Sequence, residues 1–136
     1  MTVLPPSRVK SPVWESMVSI WLSPMEAFLK SGHRIDVLYA HNDDMAIGAI
    51  QAIEEAGLKP GQDIKIVSID AVKSAFEAMM AGKLNVSVEC SPLLGPQLMQ
   101  AVKDLKAGKT LPKRIVTEES IFPMETAAKV FPSRKY

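Results

Sequence analysis

Cysteine is almost missing from this chain. Cys90 is the only one in 136 residues, so an internal disulfide is excluded and nothing follows about redox compartment. Histidine is nearly as scarce, with His33 and His41 alone, and no Cys/His cluster has zinc spacing, so no metal site is expected. The seven glycines stand singly at turns and helix ends, which leaves no glycine-rich phosphate loop. A Gly-x-Ser-x-Gly nucleophile elbow is missing as well. No catalytic residue and no cofactor are therefore expected. Excess charge of one sign is lacking: the net charge is +1, which argues against nucleic acid as a partner and against a charged membrane surface. No apolar run approaches the roughly 20 residues needed to cross a bilayer. The start, "MTVLPPSRVK", has no charged-then-apolar signal pattern, so read literally the chain is cytoplasmic.

What is present is ordinary globular material. The residues are 47% apolar and 23% charged, enough for one core. The first ten residues read as an irregular arm. From Trp14 the apolar positions Met17, Val18, Trp21, Leu22, Met25, Phe28 and Leu29 keep helical spacing. Pro24 interrupts them, and "SPME" over 23–26 reads as a capping box with proline at the first helical position. Two abutting helices, or one kinked at Pro24, fit this pattern. Trp14 and Trp21 share a face and are read as core, with stacking on a sugar ring as the sharper alternative.

"IDVLYA" is a continuous apolar run of strand length, as expected of a strand covered on both faces. A helix follows from Asp43 to about Ala56, with Ala46, Ala49, Ile50 and Ile53 inward, closed by Gly57 and Pro60. "DIKIVSID" is the next strand, and Val72, Ala75, Phe76, Met79 and Met80 mark the next helix, closed by Gly82. "NVSVE" is a third strand. Leu94, Leu98, Val102 and Leu105 trace a further helix face ending at Gly108. "RIVTEESIF" looks like an extended return segment, and the tail from Met124 holds one short helix. Alternating strands and helices with short turns predict an α/β fold, a three-layer sandwich around a mostly parallel sheet.

In such sheets ligands sit beyond the carboxyl ends of the strands. His41, Asn42, Asp70 and Cys90 all fall there, on one rim. Asn42 and Asp43 both precede a helix, and a cap needs only one of them. The surplus residue is expected to point outward, where an amide can both donate to and accept from a hydroxyl. Asp70 could cap the helix near Val72, or could accept two sugar hydroxyls with its two oxygens. His41 reads as a rim or packing residue, and Cys90 as a small buried hydrophobe. Asp43 and Asp44 suit the helix dipole better than a magnesium ion.

The stretch "LYAHNDDMAIGAIQAIEEAGLKPGQDIKIVSID", with "FEAMMAGKLNVSVECSP" and the helix after it, resembles the periplasmic sugar-binding proteins of ABC importers. The ribose- and galactofuranose-binding kind, with the type I periplasmic binding protein fold, is the nearest in wording. The resemblance implies two α/β lobes that close on a monosaccharide, an ABC permease as partner, and a periplasmic location. It covers residues 25–136 as part of the C-terminal lobe, with 113–122 as a hinge crossing, while 1–24 match nothing in the family. It assigns sugar contacts to Asn42 and Asp70. Cys90 stands where ribose-binding members carry a polar contact, and Ala71 where Gly usually follows the acid. The expected product is an incomplete lobe that binds sugar weakly or not at all alone and that could self-associate through a bare sheet edge. The competing expectations are the effector-binding core of a lactose-repressor-like regulator, and a small α/β enzyme or receiver-like domain. No acidic cluster with a distant lysine supports the last.

Overall fold

The computed structural model describes residues 22–136. The arm over 1–10 and the helix face begun by Trp14 and Trp21 lie outside the described residues. Helix α1 is seen over 22–30 and runs through Pro24 without a break. Ser23 is thus inside a helix, not at a cap, while the segment from Trp14 to Trp21, on which the choice between two abutting helices and one kinked helix depends, lies outside the described residues. The elements that follow are β1 (Val37–Tyr39), α2 (Asp43–Glu55), β2 (Lys65–Asp70), α3 (Lys73–Met80), β3 (Val86–Glu89), α4 (Gly95–Lys106), β4 (Ile121–Pro123) and α5 (Ala127–Val130).

The sheet order is β1-β2-β3-β4. The first three strands are parallel, with Tyr39 opposite Val67 and Asp70 opposite Glu89, and β4 returns antiparallel with Ile121 opposite Val88. Right-handed crossovers between strands taken in one direction place α2 and α3 on the same face. That face holds the core: Ile53, Ile66, Phe76, Met79 and Leu84 are fully buried. Each such side chain contributes about 1.5–3 kcal/mol of transfer free energy.

Helix α2 buries Ala46, Ala49, Ile50 and Ile53, as its spacing predicts. It stops because Gly57 takes φ 77, which lets the Leu58 N–H reach back to Ile53 O at 3.0 Å and close a Schellman-type end. Gly61 is held more tightly. It also has φ +77, and a Cβ there would lie 2.4 Å from Gly82 O.

Three expectations change. β1 is three residues long and ends the sheet, with Val37 and Tyr39 well exposed. A six-letter apolar run cannot distinguish a covered strand from a short one whose outer face is bare. Met80 is exposed although it keeps helical spacing with Met79 and Phe76. α4 forms where its pattern predicts, yet no residue of it is buried. Leu98, Val102 and Leu105 face solvent. The α/β fold around a mostly parallel sheet is as expected.

Candidate functional site

The carboxyl ends of β1, β2 and β3 lie side by side, and their next residues form one rim. After β1 comes exposed His41, its ring 5.3 Å from that of Tyr39 in a tilted pair. Asn42 follows as the N-cap of α2, with extended backbone, and its Oδ1 accepts from the Met45 N–H at 2.8 Å. Oδ1 is thereby occupied, while Nδ2 has no hydrogen-bond partner among the described residues. After β3 comes Cys90, whose N–H donates to Asp70 O at 3.4 Å. The Cys90 thiol is exposed, so the expectation of a small buried hydrophobe is overturned. The strand ends at Glu89, and a residue just past a strand end need not be covered.

Asp70, at the end of β2, is half-buried and does not cap α3. That helix begins at Val72 with no side-chain cap, and the Val72 N–H is taken by Asp43 Oδ2 at 2.9 Å. The Asp70 carboxyl is pushed above its ordinary value, first by burial and then by the charge of Asp43, with Asp44 adding to it. The backbone N–H of Asp43 pulls in the other direction. The register that sets Tyr39 opposite Val67 brings Asp70 to the same rim as Asn42. The ends of the three strands thus carry an amide, a carboxylate, an exposed thiol and an exposed imidazole.

The outward amide of the expectation is itself the cap, Asn42, and the residue left over, Asp43, turns inward. Asp43 is 1% exposed. Its Oδ1 accepts from Ser68 Oγ and, at 2.8 Å, from Ser87 Oγ. Burial pushes its carboxyl up, against the lowering effect of Ser68, the Val72 N–H and Ser87. The helix start thus divides its two polar residues between cap and core. Sequence reasoning missed this, although a signal existed. Ser68 and Ser87 occupy inward positions of two strands, where hydroxyls need a partner.

The turn after β2 is backed by this cluster. Asp70 has φ 121 and Ala71 φ 60, conformations that cost a side chain with a Cβ about 1–3 kcal/mol each. The Ala71 N–H donates to Ser87 Oγ at 3.0 Å, and the Ala71 carbonyl accepts from Arg134 Nη2 at 2.8 Å. Arg134 reaches there from the C-terminal tail, pairing through Nη1 with Glu89 Oε1 at 2.8 Å. Its guanidinium lies over the rings of Tyr136, Phe122 and Phe76 at 4.5, 5.0 and 5.3 Å. Tyr136 Oη donates to the same Glu89 oxygen at 2.7 Å. Burial raises the Glu89 carboxyl, but the bonds from Tyr136 and Arg134 and the guanidinium charge outweigh it and hold the group below its ordinary value. None of these tail residues stood out in the sequence, because the Arg134–Glu89 partners are 45 positions apart.

Residues 111–120 have no regular secondary structure, and β4 occupies only the end of the expected return segment. Its entry is fixed beside the rim. The Glu89 N–H donates to Ser120 O at 2.8 Å, and the Ser120 N–H donates to Glu89 Oε2 at 3.2 Å. Among the described residues no group of His, Cys, Asp or Glu converges as a metal site, and no helix is long and apolar enough to cross a membrane.

Comparison with known proteins gives this geometry a setting. Residues 22–110 match the model of the periplasmic binding protein domain. The galactofuranose-binding protein YtfQ of Escherichia coli is 44% identical over 115 residues, 82% of this chain and 36% of its own length. A crystal structure from Mycobacterium smegmatis in complex with β-D-fucofuranose is 50% identical with a TM-score of 0.81, covering 88% of this chain and 39% of that one. The HTH-type transcriptional repressor MelR of Bacillus subtilis is more distant, 32% identical over 92 residues, 67% of this chain and 26% of its own. The chain thus spans little more than a third of the length of YtfQ.

Proposed function

This chain belongs to the periplasmic binding protein domain family, and from that membership we propose that it recognises sugar for an ABC-type carbohydrate importer, in the periplasm and without catalysing a reaction. The sugar is a monosaccharide, with a furanose ring as the first choice given what the two most similar proteins above are named for. The observation that carries the reading is the pairing on one rim of an Asn42 amide, whose Nδ2 is unengaged among the described residues, with the Asp70 carboxylate. Together they offer a donor to one hydroxyl and acceptors to two others. Cys90 and His41, past the ends of the neighbouring strands, are the further candidate contacts. Residues 113–122 are the crossing to the rest of a two-lobed protein, a role that the mutual bonding of Glu89 and Ser120 supports. The greater similarity to the sugar-binding protein than to the repressor favours the importer over an effector-binding core.

The open rim sets the affinity. Three or four hydrogen bonds in contact with water net about 1 kcal/mol each, and about 4 kcal/mol corresponds to a millimolar constant. Calorimetric or NMR titration with galactose, ribose and arabinose tests this. Millimolar or weaker binding that perturbs Asn42 and Asp70 is expected. A micromolar constant, or perturbation confined to some other surface, would overturn it.

A further inference from the structure

The least comfortable backbone in the molecule is the turn after β2, where Asp70 and Ala71 both hold positive φ. Torsions of this kind persist only when their surroundings over-determine them, and they gather at functional sites. Here the polar groups of the turn are all engaged. The Ala71 N–H is taken by Ser87 Oγ, the Ala71 carbonyl by Arg134, and the Val72 N–H by Asp43. Ser87 in turn donates to Asp43 Oδ1, so two of the three restraints converge on one carboxylate. That carboxylate is buried without a cation among its bonded partners, an expensive place for a charge. Packing alone would be served by an apolar residue. What the acid adds is a connection. It sits next to Asn42 at the start of α2 and holds the turn that bears Asp70.

We propose that Asp43 is a positioning residue for the sugar site: bonded to Val72 directly and to Ala71 through Ser87, it fixes the strained turn that aims Asp70 and locks that turn to the helix start carrying Asn42. This rests on the reading of Asn42 and Asp70 as sugar contacts. It assigns the cost of the buried acid to the geometry of the pair, since the turn that bears Asp70 cannot shift without breaking the Val72 bond to Asp43, the residue that follows Asn42.

The test uses the full chain as wild type, Asp43→Ala, Asp43→Asn and Ser87→Ala. Amide exchange is followed by NMR and read against the amide of fully buried Ile53 in α2, which reports opening of the core. In Asp43→Ala the Val72 amide should lose about tenfold more protection than Ile53. Asp43→Asn keeps an oxygen for the Val72 N–H and should recover most of that loss. Ser87→Ala should release Ala71 while leaving Val72 protected. Equal losses at Val72 and Ile53, or an unchanged Ala71 in Ser87→Ala, would overturn the proposal. Should Asp43→Ala not fold, the Asn and Ser87 variants decide alone. In parallel, arabinose is titrated and the Asp70 signals followed. Their response should shrink about fivefold in Asp43→Ala, or in Ser87→Ala if that variant alone folds, and return in Asp43→Asn. A wild type with no response defeats the sugar reading, while the exchange results still judge whether Asp43 fixes the turn.

Discussion

Replacing Arg134 by methionine removes the ion pair that anchors the C-terminal tail, and with it the bond to the Ala71 carbonyl, while methionine keeps an apolar stem against Phe76, Phe122 and Tyr136. The Arg134 and Glu89 side chains are 9% and 12% exposed. Removing one partner of so buried a pair leaves the other without compensation, at a cost of about 3–5 kcal/mol. The lower end is expected, since Tyr136 Oη still donates to Glu89. A domain has only about 5–15 kcal/mol to lose. With a urea dependence of about 2 kcal/mol per molar, a loss of 3 kcal/mol moves the midpoint down by roughly 1.5 M. The sign with pH follows from Glu89. Its folded carboxyl lies below the ordinary 4.5, so its share of stability is present above that value and is lost as pH falls through the folded one. In Arg134→Met the guanidinium that lowers it is gone, burial gains weight, and the acid loss should shrink. Adding Glu89→Gln removes the orphaned carboxylate, so the double variant should be more stable than Arg134→Met alone. Urea melts of the four proteins at several pH values test this. A loss under about 1 kcal/mol for Arg134→Met, or effects that simply add in the double variant, would refute the reasoning.

Other outcomes are open to measurement. The Asp43 carboxyl is raised above 3.8, so its favourable share is fully present below that pH and is lost as pH rises through the folded value. Asp43→Asn should therefore gain on wild type between about pH 3 and pH 7 in urea midpoint, and a gap that stays constant would contradict this. Asn42→Asp keeps an oxygen for the Met45 N–H but loses the amide donor. Its melting should stay within about 0.5 kcal/mol of wild type, while the arabinose response disappears, and a retained response would remove Asn42 from the site. Gly61→Ala drives a methyl into the Gly82 carbonyl and should cost more than about 2 kcal/mol. A neutral result by thermal melting would mean that the 59–64 turn relaxes freely.

The sequence made the order of elements and the rim legible because both follow from local pattern. The spacing of Ala46, Ala49, Ile50 and Ile53 admits only one inward face, and a strand that halts on His41 and Asn42 must present them at its end. It could not reveal what lies against a face. α4 has a proper apolar stripe, and nothing in Leu98 or Val102 says that the stripe meets solvent. "IDVLYA" misled for the same reason, since exposure of Val37 and Tyr39 depends on neighbours elsewhere. Asp43 was hidden by a plausible local role, an acid in the first turn of a helix, while its actual partners Ser68 and Ser87 lie 25 and 44 positions away. The family resemblance, by contrast, identified the fold from a few consecutive words, and it marked Ala71 as standing where glycine is usual. The φ of 60 at Ala71 keeps the shape that glycine would take easily.

The meeting of Glu89 with Ser120 has a mechanical corollary. The chain departs from the sheet and comes back at a single doorway, and between those posts, over 90–119, not one residue is buried. That excursion is cargo and not framework. Twelve residues of isolated helix are marginal in water, so α4 can wind and unwind on its own clock while the strands stay paired. Whatever pulls on it reaches the core at its near end, through Glu89, which also clasps Arg134, and through Cys90, whose N–H holds the Asp70 carbonyl.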